Sequence, residues 1–224
     1  MIFRTQDEMQ SAADALERKI AENGYKLSTG FVGTPLLCTT LSEIGKGNTA
    51  YTLLLQTEDP SWLYSVHQGA TTVWERWNSY TLANGFGDVS MNSFNHYSFG
   101  AVMEWMYRFM VGIQSLGFGF EGVKFTPQPD TREDGEIPEG QEKITWVKGS
   151  YNTASGLITS EWEMKDGIFK YFCESPVKGE IHLPNIKGKT SVIFDGKNIS
   201  ISELRTDMGD HIIDIEIGKH TLEM

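Results

Sequence analysis

Residues 99–117 read FGAVMEWMYRFMVGIQSLG, and the hydrophobic period changes as the chain leaves them. Phe99, Val102, Met106, Phe109, Met110 and Ile113 recur every three or four positions, the spacing that lays one apolar stripe along a helix. After Gly117 the period falls to two. Val177, Gly179, Ile181 and Leu183 alternate with Lys178, Glu180 and His182, and Ile213, Ile215 and Ile217 alternate with Asp214 and Glu216, the pattern of half-buried strands. The turn pairs Asp166-Gly167, Asp195-Gly196 and Gly218-Lys219 fall between such runs. The expected fold class is therefore α + β in two domains: helices over residues 1–116, then an antiparallel β-sandwich of about seven or eight strands over residues 117–224.

Working back from this boundary, the first half predicts further helices. Met9, Ala12, Ala13, Leu16 and Ile20 mark one, with Thr5 and Glu8 spaced as a capping box and Gly24 as its left-handed stop. Thr34-Pro35 opens a second, through Leu37, Leu41 and Ile44 to Gly45. Asn48 is expected to cap a third, reaching about Gln56, and Asp59-Pro60 to open a short fourth with Trp62 and Val66. Short connections imply antiparallel packing, either a bundle or part of an α/α toroid. The stretch from Gly69 to His96, GATTVWERWNSYTLANGFGDVSMNSFNH, breaks the regularity and has the polar, aromatic, Gly-rich character of a functional loop. Residues 128–141, QPDTREDGEIPEGQ, are acidic with two prolines and read as a solvated loop between strands.

The chain of 224 residues, 39% hydrophobic and 12% aromatic, has ample material for a core. Its 19 Lys+Arg against 30 Asp+Glu give a formal charge of −11, which repels phosphate backbones and argues against nucleic acid as a partner. No stretch approaches the roughly 20 apolar residues of a membrane helix, and residues 1–20 lack the basic start and apolar core of a signal peptide, so the compartment stays open. Cys38 and Cys173 stand far apart without a CxxC or a neighbouring His. They read as buried small hydrophobes, with no disulfide framework or zinc site expected.

The most unusual cluster is Trp74-Glu75-Arg76-Trp77, a carboxylate between two indoles and beside a guanidinium. Indole faces suit the apolar faces of sugars, and a carboxylate among them suits glycosidic hydrolysis. The competing reading is a Glu paired with Arg while the tryptophans fill the core. His96, just before the strongest helix, is a candidate donor to sugar hydroxyls or else a helix cap. His67, His182, His211 and His220 share no ligand spacing with it, so no metal is expected. Gly117, Gly119 and Gly122 match GxGxxG, but the motif follows the expected helix and leads into a strand, the reverse of dinucleotide binding, and no cofactor is expected. Asn198-Ile199-Ser200 matches a glycosylation triplet, but with no secretory signal in the sequence no glycosylation is expected there.

Four segments together carry a resemblance: TGFVGTP (29–35), Ser61-Trp62, GATTVWERW (69–77) and NSFNHY (92–97) with Gly100. In this order they resemble the α-L-rhamnosidases of glycoside hydrolase family 78. The resemblance implies the end of an (α/α)6 toroid followed by a C-terminal β-sandwich. It implies that Glu75 is the general base of an inverting hydrolysis and that His96 lies in the sugar subsite, with Trp74, Arg76 and Trp77 lining the pocket or supporting the loop. It also implies that the general acid lies on upstream helices of the toroid with no counterpart here; the other acids of the region, Glu58, Asp59, Asp88 and Glu104, match no motif and most read as caps or solvated surface. The expected partners are a rhamnose-containing glycan or glycoside and the missing N-terminal half, or a second copy covering the incomplete toroid. A non-catalytic carbohydrate-binding fragment is the alternative, as is a glycosidase of other sugar specificity.

Overall fold

A computed structural model describes residues 5–207 and 209–224. The chain divides into two compact units, Met1–Glu104 with Arg132–Lys143, and Trp105–Thr131 with Ile144–Met224.

The first unit opens with α1 (Gln6–Glu22). Its capping box forms: the Glu8 amide donates to Thr5 Oγ1 at 3.2 Å, and the Thr5 amide donates to Glu8 Oε2 at 3.3 Å. Gly24, at φ 66°, follows the C-cap. Helix α2 (Thr34–Glu43) carries Pro35 in its first turn. Helix α3 (Gly47–Leu54) starts earlier than expected, so Asn48 lies inside its first turn and Lys46 stands at the N-cap. The Lys46 ammonium reaches back to Asp14 at 2.9 Å and Glu17 at 2.7 Å, tying α3 to α1. Helix α4 (Trp62–His67) is started by Ser61, whose Oγ accepts from the Tyr64 amide at 3.1 Å, rather than by Asp59-Pro60. Leu41, Ala50 and Leu53 are fully buried between α2 and α3. Each leucine contributes about 1.5–3 kcal/mol of apolar burial.

Residues 132–143 depart from expectation. They belong to the first unit, and Arg132, read as part of a solvated loop, is 1% exposed. Its guanidinium donates to Gln141 Oε1 at 2.8 Å, to the Glu142 carbonyl at 3.2 Å and to Thr52 Oγ1 of α3 at 3.3 Å. Gln141 in turn donates to the Thr52 carbonyl at 3.1 Å. A buried fork of donors satisfied at several acceptors outweighs the polar, Pro- and Gly-containing composition that reads as solvent-exposed.

The strongest sequence helix is a composite of a 3-10 turn (Ser98–Ala101), one α-turn labelled α5 (Val102–Trp105), and a π-helical stretch (Met106–Val111). It ends at Gly112, φ 82°, where an added Cβ would lie 2.4 Å from the Pro127 nitrogen. Ile113, expected on the helix, instead opens the first strand of the sandwich. The carbonyls at the π-helical end find side-chain donors. Gln114 donates to Arg108 at 3.0 Å, the Trp162 indole to Met110 at 2.6 Å, and the buried Ser160 hydroxyl to Val111 at 2.5 Å.

In chain order the strands are β1 (Tyr80–Thr81) and β2 (Gly85–Phe86) in the first unit. The second unit holds β3 (Ile113–Leu116), β4 (Gly122–Phe125), β5 (Trp146–Thr153), β6 (Gly156–Lys165), β7 (Ile168–Ser175), β8 (Gly179–His182), β9 (Ser191–Phe194), β10 (Lys197–Ser200), β11 (Arg205–Asp207), β12 (Asp210–Ile215) and β13 (Gly218–Glu223). These make a six-stranded sheet, β10-β9-β13-β7-β6-β5, and a five-stranded sheet, β11-β12-β8-β4-β3, more strands than the alternation alone revealed. One pair, β4 with β8, is parallel. No hairpin joins those two strands, so nothing local imposes the antiparallel sense expected throughout. Gly179 admits the close approach there, since a Cβ would meet the Val123 carbonyl oxygen at 2.0 Å.

Asp166-Gly167 and Asp195-Gly196 are two-residue hairpin turns with positive φ at both positions, 51° and 75° in the first, 46° and 78° in the second. Gly218-Lys219, expected as a turn, instead opens β13, paired with Ser175 and Glu174 of β7, and the chain crosses from one sheet to the other through Glu216 and Ile217. The Gly117, Gly119 and Gly122 triplet makes the β3–β4 turn and so follows a strand, not a helix. Val123, Phe125, Ile158, Phe169, Cys173 and Ile181 form the centre of the core between the sheets. Cys38 and Cys173 are free and buried, and burial pushes both thiols up to about 12, leaving them unreactive. Among the described residues, no helix is long and apolar enough to cross a membrane, and no three His, Cys, Asp or Glu side chains gather as a metal site.

Candidate functional site

The loop from Gly69 to His96 is held by its own backbone rather than by a long regular element. The segments 73–75 and 93–96 lie side by side. The Glu75 amide donates to the Ser93 carbonyl at 2.9 Å, and the His96 amide donates to the Val73 carbonyl at 2.8 Å. Glu75 also uses its side chain in this clamp: Oε2 accepts from the Ser93 amide at 2.7 Å. The Thr72 hydroxyl adds a bond to the Phe94 carbonyl. Between the two segments the chain turns back through β1 and β2, where Tyr80 pairs with Phe86 and Gly85 takes φ 74°. Buried Ser79 fastens the turn, its carbonyl accepting from the Gly87 amide at 2.8 Å and from Asn92 Nδ2 at 2.9 Å.

Glu75, Arg76 and Trp77 line a cleft of about 490 Å³ together with Phe31, Asp59 and Phe99. Trp77 is stacked on Phe99, ring centroids 3.8 Å apart at 14°, and meets Trp62 edge-on at 5.6 Å. Ser65 fixes the Trp77 backbone by donating to its carbonyl at 2.8 Å. The partly buried carboxylate of Glu75 thus faces a cavity with an aromatic wall. One oxygen is committed to Ser93, and the other remains for a donor in the cleft.

His96 stacks on Phe31, centroids 4.6 Å apart at 26°, which sets it beside a wall of that cleft. Its Nδ1 accepts from the Ser98 amide at 3.4 Å, so the neutral ring carries its proton on Nε2, a donor suited to a hydroxyl. Trp74 points elsewhere. It is 7% exposed and packs edge-on against Tyr80 at 6.4 Å and Phe94 at 5.4 Å, holding the two halves of the loop together. Arg76 is exposed, and its amide donates to Ser79 Oγ at 3.2 Å.

Sequence reasoning passed over Phe31, Asp59 and Phe99 as parts of this cavity. Phe31 and Phe99 carried no chemistry to flag them, and Asp59 was read as the opening of a short helix and, as an acid, matched no motif. Burial raises the Asp59 carboxyl above the ordinary range, and Lys26 only partly offsets it. Asp88, expected to be a cap or surface acid, is held low by the Ser90 amide, which it accepts at 2.8 Å as a cap.

The bacterial alpha-L-rhamnosidase 6 hairpin glycosidase domain matches residues 2–110, and the bacterial alpha-L-rhamnosidase C-terminal domain matches residues 112–196. An alpha-L-rhamnosidase of Formosa agariphila is 37% identical over 204 residues, covering 88% of this chain and 21% of that protein. One from Streptomyces avermitilis is 37% identical over 177 residues, covering 78% of this chain and 16% of that protein. The crystal structure of a Streptomyces avermitilis alpha-L-rhamnosidase complexed with L-rhamnose superposes with a TM-score of 0.79 at 31% identity, covering 96% of this chain and 20% of that one. The Aspergillus terreus enzyme gives 0.73 at 30% identity, covering 96% and 22%. The chain spans about a fifth of the length of these relatives. It belongs to the bacterial α-L-rhamnosidase family and corresponds to its C-terminal part, helices of the six-hairpin domain followed by a β-sandwich.

Proposed function

We propose that this chain supplies the general base and one wall of the sugar subsite to an inverting α-L-rhamnosidase, and that the general acid comes from a segment outside these 224 residues. The observation that carries the reading is Glu75: a carboxylate fixed by the Ser93 amide, facing a cleft walled by Trp77 and Phe99. In inverting hydrolysis one carboxyl protonates the leaving oxygen, and the other takes a proton from the water that attacks the opposite face of the sugar. Glu75 has the second role. Its hydrogen bond from Ser93 orients the carboxylate while the other oxygen takes the proton from water. His96 donates from Nε2 to a rhamnose hydroxyl, Trp77 and Phe31 pack against the sugar's apolar edge, and Arg76 sits at the rim. Trp74 supports the loop from behind.

The division of labour follows the two units: Met1–Glu104 with Arg132–Lys143 is the end of the toroid, and Trp105–Thr131 with Ile144–Met224 the sandwich, with the substrate a glycan or glycoside ending in α-L-rhamnose. On this reading the chain alone is inactive, and the remaining toroid segment, or a second copy, covers the exposed apolar side chains Leu36, Val66 and Met103.

One observation favours a second reading, in which the chain carries its own acid. Asp59 lines the same cleft as Glu75, and burial raises its carboxyl, the direction a proton donor needs. Hydrolysis of an aryl α-L-rhamnoside separates the two. The expected result is no turnover by the chain alone and turnover on addition of the upstream segment. Turnover by the chain alone that Asp59→Asn abolishes would replace the first reading with the second. The non-catalytic alternative predicts rhamnoside binding without turnover in both preparations.

A further inference from the structure

The outer face of the six-stranded sheet carries a second surface, unrelated to Glu75 and lying wholly in the second unit. Strand register aligns Trp146 of β5, Glu163 of β6, Lys170 of β7, Glu223 of β13 and Ile193 of β9 in one row across the sheet. A second row, Lys148, Glu161, Phe172 and Thr221, runs beside it. Their neighbours along the strands, Trp162, Tyr171 and Leu222, point the other way and are buried in the core. The rows line a cleft of about 630 Å³, and four steps between strands at about 4.8 Å each give it a length of roughly 19 Å.

We propose that this face binds a neutral glycan chain, with the Trp146 indole as its stacking platform. Trp146 is 67% exposed at the open edge of the sheet, where an unpacked indole has no structural use. Its flat apolar face and the Phe172 ring two strands away suit the C–H faces of sugar rings. Four of the five charged residues in the cleft are paired: Lys148 with Glu161 at 2.6 Å and Lys170 with Glu223 at 3.7 Å. Such pairs accept from hydroxyls through carboxylate oxygens and donate through ammonium protons, which fits a polyhydroxylated ligand of no net charge.

Other ligands fit less well. With three carboxylates against two ammonium groups in the cleft, on a chain of formal charge −11, a polyanion is repelled. A protein partner would seat its contact centre on Lys and Glu, residue types that are depleted where protein interfaces are driest. The length across five strands matches an extended chain rather than a single small molecule.

The test is native electrophoresis of the 224-residue chain through gels containing neutral galactan, arabinan, xyloglucan or mixed-linkage glucan, with polygalacturonate as the charged control. The proposal expects retardation by at least one neutral polysaccharide and at least a tenfold loss of that affinity in Trp146→Ala. Retention is expected in His96→Ala, which perturbs only the cleft of the first unit. Because Trp146 is exposed, its variant should keep its far-ultraviolet circular dichroism and melting temperature. A second readout is protection of tryptophan fluorescence from acrylamide quenching by the retained glycan, absent in Trp146→Ala. Several results would overturn the proposal: no retardation by any neutral polysaccharide, retardation by polygalacturonate alone, or retardation unchanged in Trp146→Ala and lost in His96→Ala. Self-association that Trp146→Ala abolishes, without glycan binding, would make the face a protein interface instead. None of these outcomes bears on the role assigned to Glu75.

Discussion

Replacing Arg132 by methionine keeps the length and volume of the buried stem and removes the donors. In the native fold the guanidinium serves Gln141 Oε1 at 2.8 Å, the Glu142 carbonyl at 3.2 Å and Thr52 Oγ1 at 3.3 Å. The threonine loses least, because its own hydroxyl stays satisfied by donating to the Asn48 carbonyl at 3.1 Å. The other two acceptors lose a donor in a site that is nearly closed to water, at a cost of about 1–3 kcal/mol each. Partial relaxation and water entry reduce the sum, so Arg132→Met should lose about 3 kcal/mol, comparable to breaking a buried charged network. Urea unfolding of the 224-residue chain measures this directly, and limited proteolysis locates it: cleavage within residues 133–142 should accelerate before cleavage elsewhere. A loss below about 0.5 kcal/mol with an unchanged cleavage pattern would mean that the segment is the solvated loop its composition suggests, and that Arg132 braces nothing.

Gly112→Ala should destabilise the second unit by at least about 3 kcal/mol, since it combines positive φ with a Cβ contact at 2.4 Å against backbone, whereas Gly119→Ala, at φ 60° with open space around it, should cost only about 1 kcal/mol in the same melt. Acid should weaken the sandwich through Glu180 and Asp195. Burial alone would raise both carboxyls, but His182 and Arg205 outweigh it for Glu180, as do the Thr221 amide and His220 for Asp195, and both end below their ordinary values of 4.5 and 3.8. A carboxyl depressed by folding stabilises the fold above its unfolded pKa and ceases to do so as pH falls through the folded value. The melting temperature should therefore drop from about pH 5 to about pH 3, and Asp195→Asn should flatten that slope; an unchanged slope would remove Asp195 from the account.

The parts of the fold that were legible in sequence are those fixed by local rules. The capping box at Thr5 and Glu8, the proline start of α2 and the two Asp-Gly hairpins need only neighbouring residues, and all formed as read. What was missed depends on distant partners. Ile113 keeps the helical spacing of Phe109 and Met110, yet Gly112 packs against Pro127 and turns the chain into β3 before the pattern ends. The parallel pairing of β4 with β8 leaves no mark in either strand, because a short apolar strand looks the same in both senses. Arg132 sits among acids, prolines and glycines, and its bond to Thr52, eighty positions earlier, is a core contact that no local pattern announces. In the candidate site, the Trp74-Glu75-Arg76-Trp77 cluster drew attention through residue type alone. The alternation that sends Glu75 toward the cleft and Trp74 into the loop's interior was not readable, since the loop has no regular period. Asp59 was set aside for want of a motif, because its place on the cavity wall comes from the chain path around Pro60 and Leu27, whose amide donates to the Pro60 carbonyl at 3.0 Å.

The role of Glu75 is tested most directly by azide rescue in the enzyme reassembled with its upstream segment. Glu75→Gly removes the carboxylate, and hydrolysis of an aryl α-L-rhamnoside should fall by about 10²–10⁴-fold. Azide, a nucleophile that needs no base, should then restore turnover and yield the rhamnosyl azide of inverted configuration. Hydrolysis that survives the substitution, or a loss that azide leaves untouched, would contradict Glu75 as the general base.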